Sequence, residues 1–117
     1  MFPIETPIHI VGAGLAGSEC AYQLAEMGFQ VVLHEMRGET MTPAHKTQNF
    51  GELVCSNSFG SFNLTSAPGQ LKWEAESLGS LVIEAAWQAR VPAGQSLSMD
   101  RLAFSGYNKK KIRNHPR

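Results

Sequence analysis

Cysteine is scarce in this chain: Cys20 and Cys55 are the only two in 117 residues, and they stand 35 positions apart. They form no CxxC pair and join no His/Cys cluster of metal-ligand spacing, so neither a disulfide scaffold nor a zinc module is expected, and no metal site. In a reducing compartment both are expected as free thiols. No apolar run approaches the ~18–20 residues that span a bilayer, which argues against a membrane partner. The start, Met1-Phe2-Pro3-Ile4-Glu5, lacks a basic segment followed by an apolar one, so no secretory signal is read and a cytoplasmic location is expected. Internal repeats and low-complexity blocks are missing as well. So are paired carboxylates and a Ser-His-Asp set.

What is present is globular. The hydrophobic fraction is 43% and the charged fraction 17%, above the range of disordered chains. A chain of this length suits one domain and buries roughly 65% of its unfolded surface. The net charge of zero hides an asymmetry: five of the ten basic side chains (Lys109, Lys110, Lys111, Arg113 and Arg117) fall in the last nine residues. A basic tail attracts phosphate backbones, yet cations at a helix end are also a plain solvated terminus that suits the macrodipole.

Periodicity divides the chain. Pro7 to Val11 is a short apolar run ending in glycine, as in a buried strand. Leu15, Cys20, Ala21, Leu24 and Met27 recur at three- and four-residue steps and predict a helix whose apolar face includes Cys20. Gly28 is placed to cap it. Gln30 to Glu35 reads as a second buried strand, completing a βαβ unit with parallel neighbouring strands. Arg37 to Asn49 reads as a loop, Leu53-Val54-Cys55 as an apolar island, and Ser56 to Ser66 as a polar stretch. One long helix is predicted from about Pro68 to Arg90, with Leu71, Ala75, Leu78, Val82, Ala85 and Ala86 on one face. Trp73 and Trp87 lie 14 apart on it, a core-like spacing. Glu74, Glu76 and Glu84 form its solvent side. Gly79 weakens that helix by on the order of 1 kcal/mol. Val91-Pro92-Ala93-Gly94 stops it, Ser96 to Met99 predicts a short strand, and Asp100 caps a last helix to about Asn114.

The informative motif is Gly12-Ala13-Gly14-Leu15-Ala16-Gly17. GxGxxG alone is weak, but here it follows a strand, opens a helix and precedes a strand ending in an acid. Gly12 permits the tight turn, Gly14 lets the backbone approach a pyrophosphate, and Gly17 lets the helix pack close to the strands. The pyrophosphate is then expected on the helix amino terminus. Glu35, 18 residues after Gly17, stands where a carboxylate accepts hydrogen bonds from the adenosine ribose, which suits FAD or NAD and repels a 2′-phosphate.

Several ordered strings then resemble the bacterial flavin- and folate-dependent tRNA (uracil-5-)-methyltransferases. They are Ile10 to Glu19, Glu35-Met36-Arg37, Met41 to Thr47 and Glu52-Leu53-Val54-Cys55-Ser56-Asn57-Ser58, the last being the most distinctive. Gly69 to Glu74, Leu78 to Leu81, Val91 to Gly94 and Met99-Asp100-Arg101 continue the likeness, which covers residues 7–106. The resemblance implies an α/β fold, here a partial FAD-binding Rossmann-type domain with an incomplete parallel sheet, residues 1–117 being its amino-terminal part. It implies FAD as cofactor, NAD(P)H as reductant, 5,10-methylenetetrahydrofolate as one-carbon donor, and methyl delivery to C5 of a T-loop uridine in tRNA. The related carboxymethylaminomethyl-modifying tRNA flavoproteins share the fold, and the Leu53–Ser58 string favours the methyltransferases. Family members run to several hundred residues, and beyond Ser105 this sequence departs from their pattern. A fragment inactive alone is therefore expected.

Cys55 is the candidate catalytic residue. A thiolate adding to C6 of uracil makes C5 nucleophilic; the alternative is a small buried hydrophobe. His45 and Lys46, on a loop, are candidates for contacts to pyrophosphate, folate or RNA, and Asn57 and Ser58 for hydrogen bonds to the flavin ring. Two other readings remain open at this point: a pyridine-nucleotide oxidoreductase on the same βαβ unit, and a non-enzymatic nucleotide-binding piece that completes its sheet with a partner chain.

Overall fold

The computed structural model describes residues 6–35, 50–51, 53 and 57–116. Strand β1 (Ile8–Val11), helix α1 (Leu15–Glu26) and strand β2 (Val31–His34) form the expected βαβ unit. The strands are parallel neighbours, Ile8 opposite Val31 and Val11 opposite His34. Ile8, Ile10, Val31 and Leu33 are half-buried beneath α1, and the alternate residues face outward. The α/β class and the parallel start of a Rossmann-type sheet are as read from the sequence.

Helix α1 ends as Gly28 predicts. Gly28 has φ +95; its N–H donates to Ala25 O and that of Phe29 to Leu24 O, the paired bonds of a Schellman motif. The buried face of α1 differs from the expected one. It consists of Ser18, Ala21 and Ala25, small side chains that let the helix approach the sheet, while Cys20 is exposed. Ser18 is buried without penalty because its hydroxyl donates to Ala13 O at 3.2 Å.

The predicted long helix is two. Helix α2 (Ala67–Ser77) and helix α3 (Leu81–Gln88) are separated at Gly79, whose φ of +81 belongs to glycine. A second Schellman pair closes α2, Gly79 N–H to Glu76 O and Ser80 N–H to Ala75 O. Ser80 then caps α3 by accepting from Ile83 N–H at 3.2 Å. The break rotates the two halves of the anticipated stripe apart: Ala85 and Ala86 are fully buried, whereas Leu71 and Leu78 are 66% and 82% exposed. Trp73, half-exposed, and Trp87 thus belong to different helices. The three glutamates do lie on solvent faces.

A small antiparallel sheet carries the main core. Its order is β3 (Ser58–Ser61), β5 (Ser96–Met99), β4 (Arg90–Val91). The strand predicted at 96–99 is its centre; the outer two arise in segments read as polar stretch and helix end. Helix α4 (Arg101–Arg113) starts at Asp100, which accepts from Ala103 N–H at 2.8 Å, as expected. Leu53, Ala85, Ala86, Ala89, Leu97, Met99 and Phe104 pack into one cluster between this sheet, α3 and α4. Phe59 meets the Phe104 ring edge-to-face at 5.6 Å, a favoured geometry.

Glu19 joins the two halves of the molecule. Its carboxylate accepts from the Ser80 hydroxyl, from Leu81 N–H at 2.8 Å, Val82 N–H at 3.2 Å and Gln23 Nε2 at 3.0 Å. An anion thereby sits on the positive end of α3. Burial pushes this carboxyl up, but the four hydrogen bonds outweigh it and leave the group below its ordinary 4.5.

Two outcomes test this packing. Phe104→Ala should destabilise the chain by about 3–5 kcal/mol in denaturant unfolding, while Leu78→Ala should stay within about 0.5 kcal/mol. The depressed carboxyl of Glu19 supports the fold above its ordinary value and loses that contribution as pH falls through its folded-state value. Glu19→Ala should therefore cost about 1–2 kcal/mol at neutral pH, allowing for solvent screening, and flatten the acid limb of a stability–pH curve. An unchanged acid limb would show that other groups set it.

Candidate functional site

The six-residue loop Gly12–Gly17 connects β1 to α1, and each glycine meets a different physical requirement. Gly12 turns at φ +97, and its N–H donates to His34 O at 2.7 Å, fastening the turn to β2. A Cβ on Gly17 would lie 1.8 Å from Gly12 O and 3.6 Å from Ile10 Cγ2, so only glycine allows α1 this close to the strand. A Cβ on Gly14 would meet nothing within 4 Å, and its φ is an ordinary −77. Among the described residues nothing requires glycine at 14, and none of them fills the space above it. Leu15 and Ala16 follow, exposed on the first turn, and Ala13 is fully buried behind them.

No described side chain caps the amino terminus of α1. Helices α2, α3 and α4 are capped by side chains of Ser66, Ser80 and Asp100. Gly14 offers no such cap, and the first turn of α1 holds no acid. Its free N–H groups and dipole end are a ready site for an anion. Glu35, directly after β2, reaches the loop: its Oε2 accepts from Ala13 N–H at 3.3 Å. The sequence-predicted carboxylate and glycine loop are thus brought together.

Sequence reasoning missed a support behind the loop. Gly51, at φ +68, donates its N–H to Ala13 O at 2.7 Å, the same carbonyl that Ser18 uses. A Cβ on Gly51 would come 2.8 Å from Asn108 Nδ2. Asn108 is fully buried and its amide atoms have no hydrogen-bond partner among the described residues. The only signal for Gly51 was a glycine just before the Glu52–Ser58 string; Asn108, on the last helix, gave none.

Other candidates separate from the loop. Cys55, His45 and Lys46 lie outside the described residues. Asn57 donates from Nδ2 to Met99 O at 3.2 Å, and Ser58 Oγ accepts from Gly60 N–H at 3.0 Å, so both side chains serve the antiparallel sheet. A cavity of about 750 Å³ lies at the far end of α1, lined by Tyr22, Glu26, Tyr107, Lys110, Lys111 and His115. There the basic tail meets acids of this chain: Lys111 Nζ stands 3.5 Å from Glu84 and His115 Nε2 3.4 Å from Glu26. The Tyr107 hydroxyl donates to Glu84 at 2.6 Å, which pushes that phenol up to about 12. Among the described residues no group of three or more His, Cys, Asp or Glu side chains is placed to hold a metal, and no helix is long and apolar enough to cross a membrane.

Known proteins resemble this chain in sequence. A protein named methylenetetrahydrofolate–tRNA-(uracil-5-)-methyltransferase TrmFO from Bdellovibrio bacteriovorus is 66% identical over 109 residues, covering 93% of this chain and 25% of the relative. Proteins of the same name from Aquifex aeolicus and Streptococcus pneumoniae are 58% and 56% identical over 113 and 112 residues, covering 97% and 96% of this chain and 25% of each relative. The chain thus spans about a quarter of the length of these relatives. The resemblance read from the ordered strings is borne out. The family model described as glucose inhibited division protein A matches residues 7–117, through the last helix, and the chain, with its βαβ start of an FAD-binding Rossmann-type domain, belongs to that family.

Proposed function

We propose that this chain binds the ADP half of FAD and represents the amino-terminal nucleotide-binding part of a folate-dependent tRNA uracil-5-methyltransferase. The observation that carries the reading is the space over Gly14, open among the described residues, at a helix terminus that no described side chain caps. Gly12, Ala13, Gly14, Leu15, Ala16 and Gly17 would hold the pyrophosphate through backbone N–H groups, where an added Cβ would block its approach. Glu35 would accept from the ribose hydroxyls, its Ala13 N–H contact keeping the carboxylate beside the loop.

The flavin, when bound, supplies the redox chemistry by which a one-carbon unit from 5,10-methylenetetrahydrofolate is reduced to a methyl group, with NAD(P)H as the reductant. The chain's own contribution is to bind and orient the adenosine end. Cys55 is proposed as a thiol of the active site, on the Leu53–Ser58 string alone. The names of the relatives support tRNA as the substrate; a cytoplasmic setting, and residues 1–117 as one part of a larger nucleotide-binding domain, belong to the same proposal.

Equilibrium dialysis of the 117-residue chain against FAD, with ADP as competitor and NADH as comparison, tests the assignment. Retained FAD displaced by ADP supports it; a preference for NADH would favour an oxidoreductase on the same unit. Gly14→Val should lower FAD affinity by about tenfold or more with the thermal melt unchanged, since a Cβ there meets none of the described residues. Gly17→Ala should instead disrupt the βαβ unit, visible as lost structure by circular dichroism. FAD affinity unaltered by Gly14→Val would remove the central assignment. With FAD, NADH and methylenetetrahydrofolate the chain by itself should transfer no labelled carbon to tRNA, because it spans only a quarter of its relatives; measurable transfer would overturn that expectation.

A further inference from the structure

The outward face of the β1–β2 sheet carries His9, Val11, Val32 and His34, all exposed. His9 lies opposite Val32 and His34 opposite Val11, so the two imidazoles are diagonal neighbours on one face, within side-chain reach. One ring N–H donates to the other ring's lone pair, with His9 Nδ1 and His34 Nε2 2.9 Å apart. The rings are 17° from parallel, with centroids 5.2 Å apart. Two nitrogen donors held this close, on an open surface and from strands 25 residues apart in sequence, do nothing for the nucleotide loop directly.

We propose that His9 and His34 form a two-imidazole chelating site for a transition-metal cation of tetragonal preference, Ni²⁺ or Cu²⁺. Metal–imidazole bonds of ~2.0–2.1 Å set at ~90° place the two nitrogens ~2.9 Å apart, whereas a tetrahedral angle requires ~3.3–3.4 Å. The observed spacing matches the right-angle case, and the Irving–Williams order puts Ni²⁺ above Co²⁺ and Cu²⁺ above both Ni²⁺ and Zn²⁺. The cation takes the place of the shared proton. That proton moves to the far nitrogen of the same ring, so both imidazoles stay neutral and no net proton is released. Among the described residues no third His, Cys, Asp or Glu joins the pair, and water fills the remaining positions.

The position gives occupancy a structural effect. A bound cation ties β1 to β2, and His34 is the residue whose carbonyl accepts the Gly12 N–H. Metal binding therefore stabilises the strand pair that anchors the glycine turn, by mass action on the folded chain.

Isothermal titration of the 117-residue chain with NiCl₂ in a non-chelating buffer tests the site. One Ni²⁺ per chain is expected, with affinity lowered by about tenfold or more in His9→Asn and in His34→Asn. His45→Asn, His115→Asn and Cys20→Ser should leave binding unchanged. Binding that survives His34→Asn, or that is lost in one of those three controls, overturns the proposal. Should a histidine variant lose structure by circular dichroism, electron paramagnetic resonance of Cu²⁺ on the His45→Asn/His115→Asn chain decides instead. Two equatorial imidazole nitrogens support the site; one or none refutes it.

Discussion

Residue 17 carries a hydrogen where any other amino acid carries a carbon, and the Gly12 carbonyl occupies the space that carbon would need. This contact sets the distance between α1 and the parallel strands. A larger residue would lift the helix, separate Ser18 from Ala13 O, and move Glu19 away from α3. The small buried residues Ala21 and Ala25 continue the same close approach along the helix. Close packing at one glycine thus fixes where the amino terminus of α1 points and how far it stands from Glu35.

From that position α1 reaches the second half of the molecule through a charge on a dipole. Glu19 lies two residues beyond Gly17, and its carboxylate meets the first turn of α3 together with Ser80. Gln23, one turn further, adds a bond to Gly79 O at 2.8 Å. The break between α2 and α3 is therefore stabilised from outside, by residues more than 50 positions away in sequence. The nucleotide-loop helix and the antiparallel-sheet core are joined by these polar contacts at a helix end, and α1 also meets the end of α4 where the Tyr22 and His115 rings pack edge-to-face at 5.8 Å.

That division explains what could be read from the sequence. The βαβ unit, the Gly28 cap, Glu35 and the Asp100 cap were legible because each depends on neighbours within a few residues, or on a motif whose parts have separate steric reasons. The long helix over 68–90 is two because a glycine that costs a helix only on the order of 1 kcal/mol locally here turns left-handed, with Ser80 capping the next helix and Glu19, which no local window contains, adding its carboxylate. Cys20 was assigned to the core because apolar spacing was counted while the buried face was set by small residues, including a serine with an internal acceptor. Strands β3 and β4 escaped because their pairing with β5 spans 30 residues or more on one side and only two residues on the other.

Helix α2 contrasts with all of this. It buries only Gly69, where a Cβ would come 1.8 Å from Asn63 O, and its Leu71 and Trp73 point to solvent. Its docking is a backbone-to-backbone fit with hardly any side chain taking part. Sequence drift across its outer surface consequently costs the fold little, while its two anchoring glycines, 69 and 79, leave almost no room for change. Such a helix can change what it presents to solvent without disturbing the nucleotide loop.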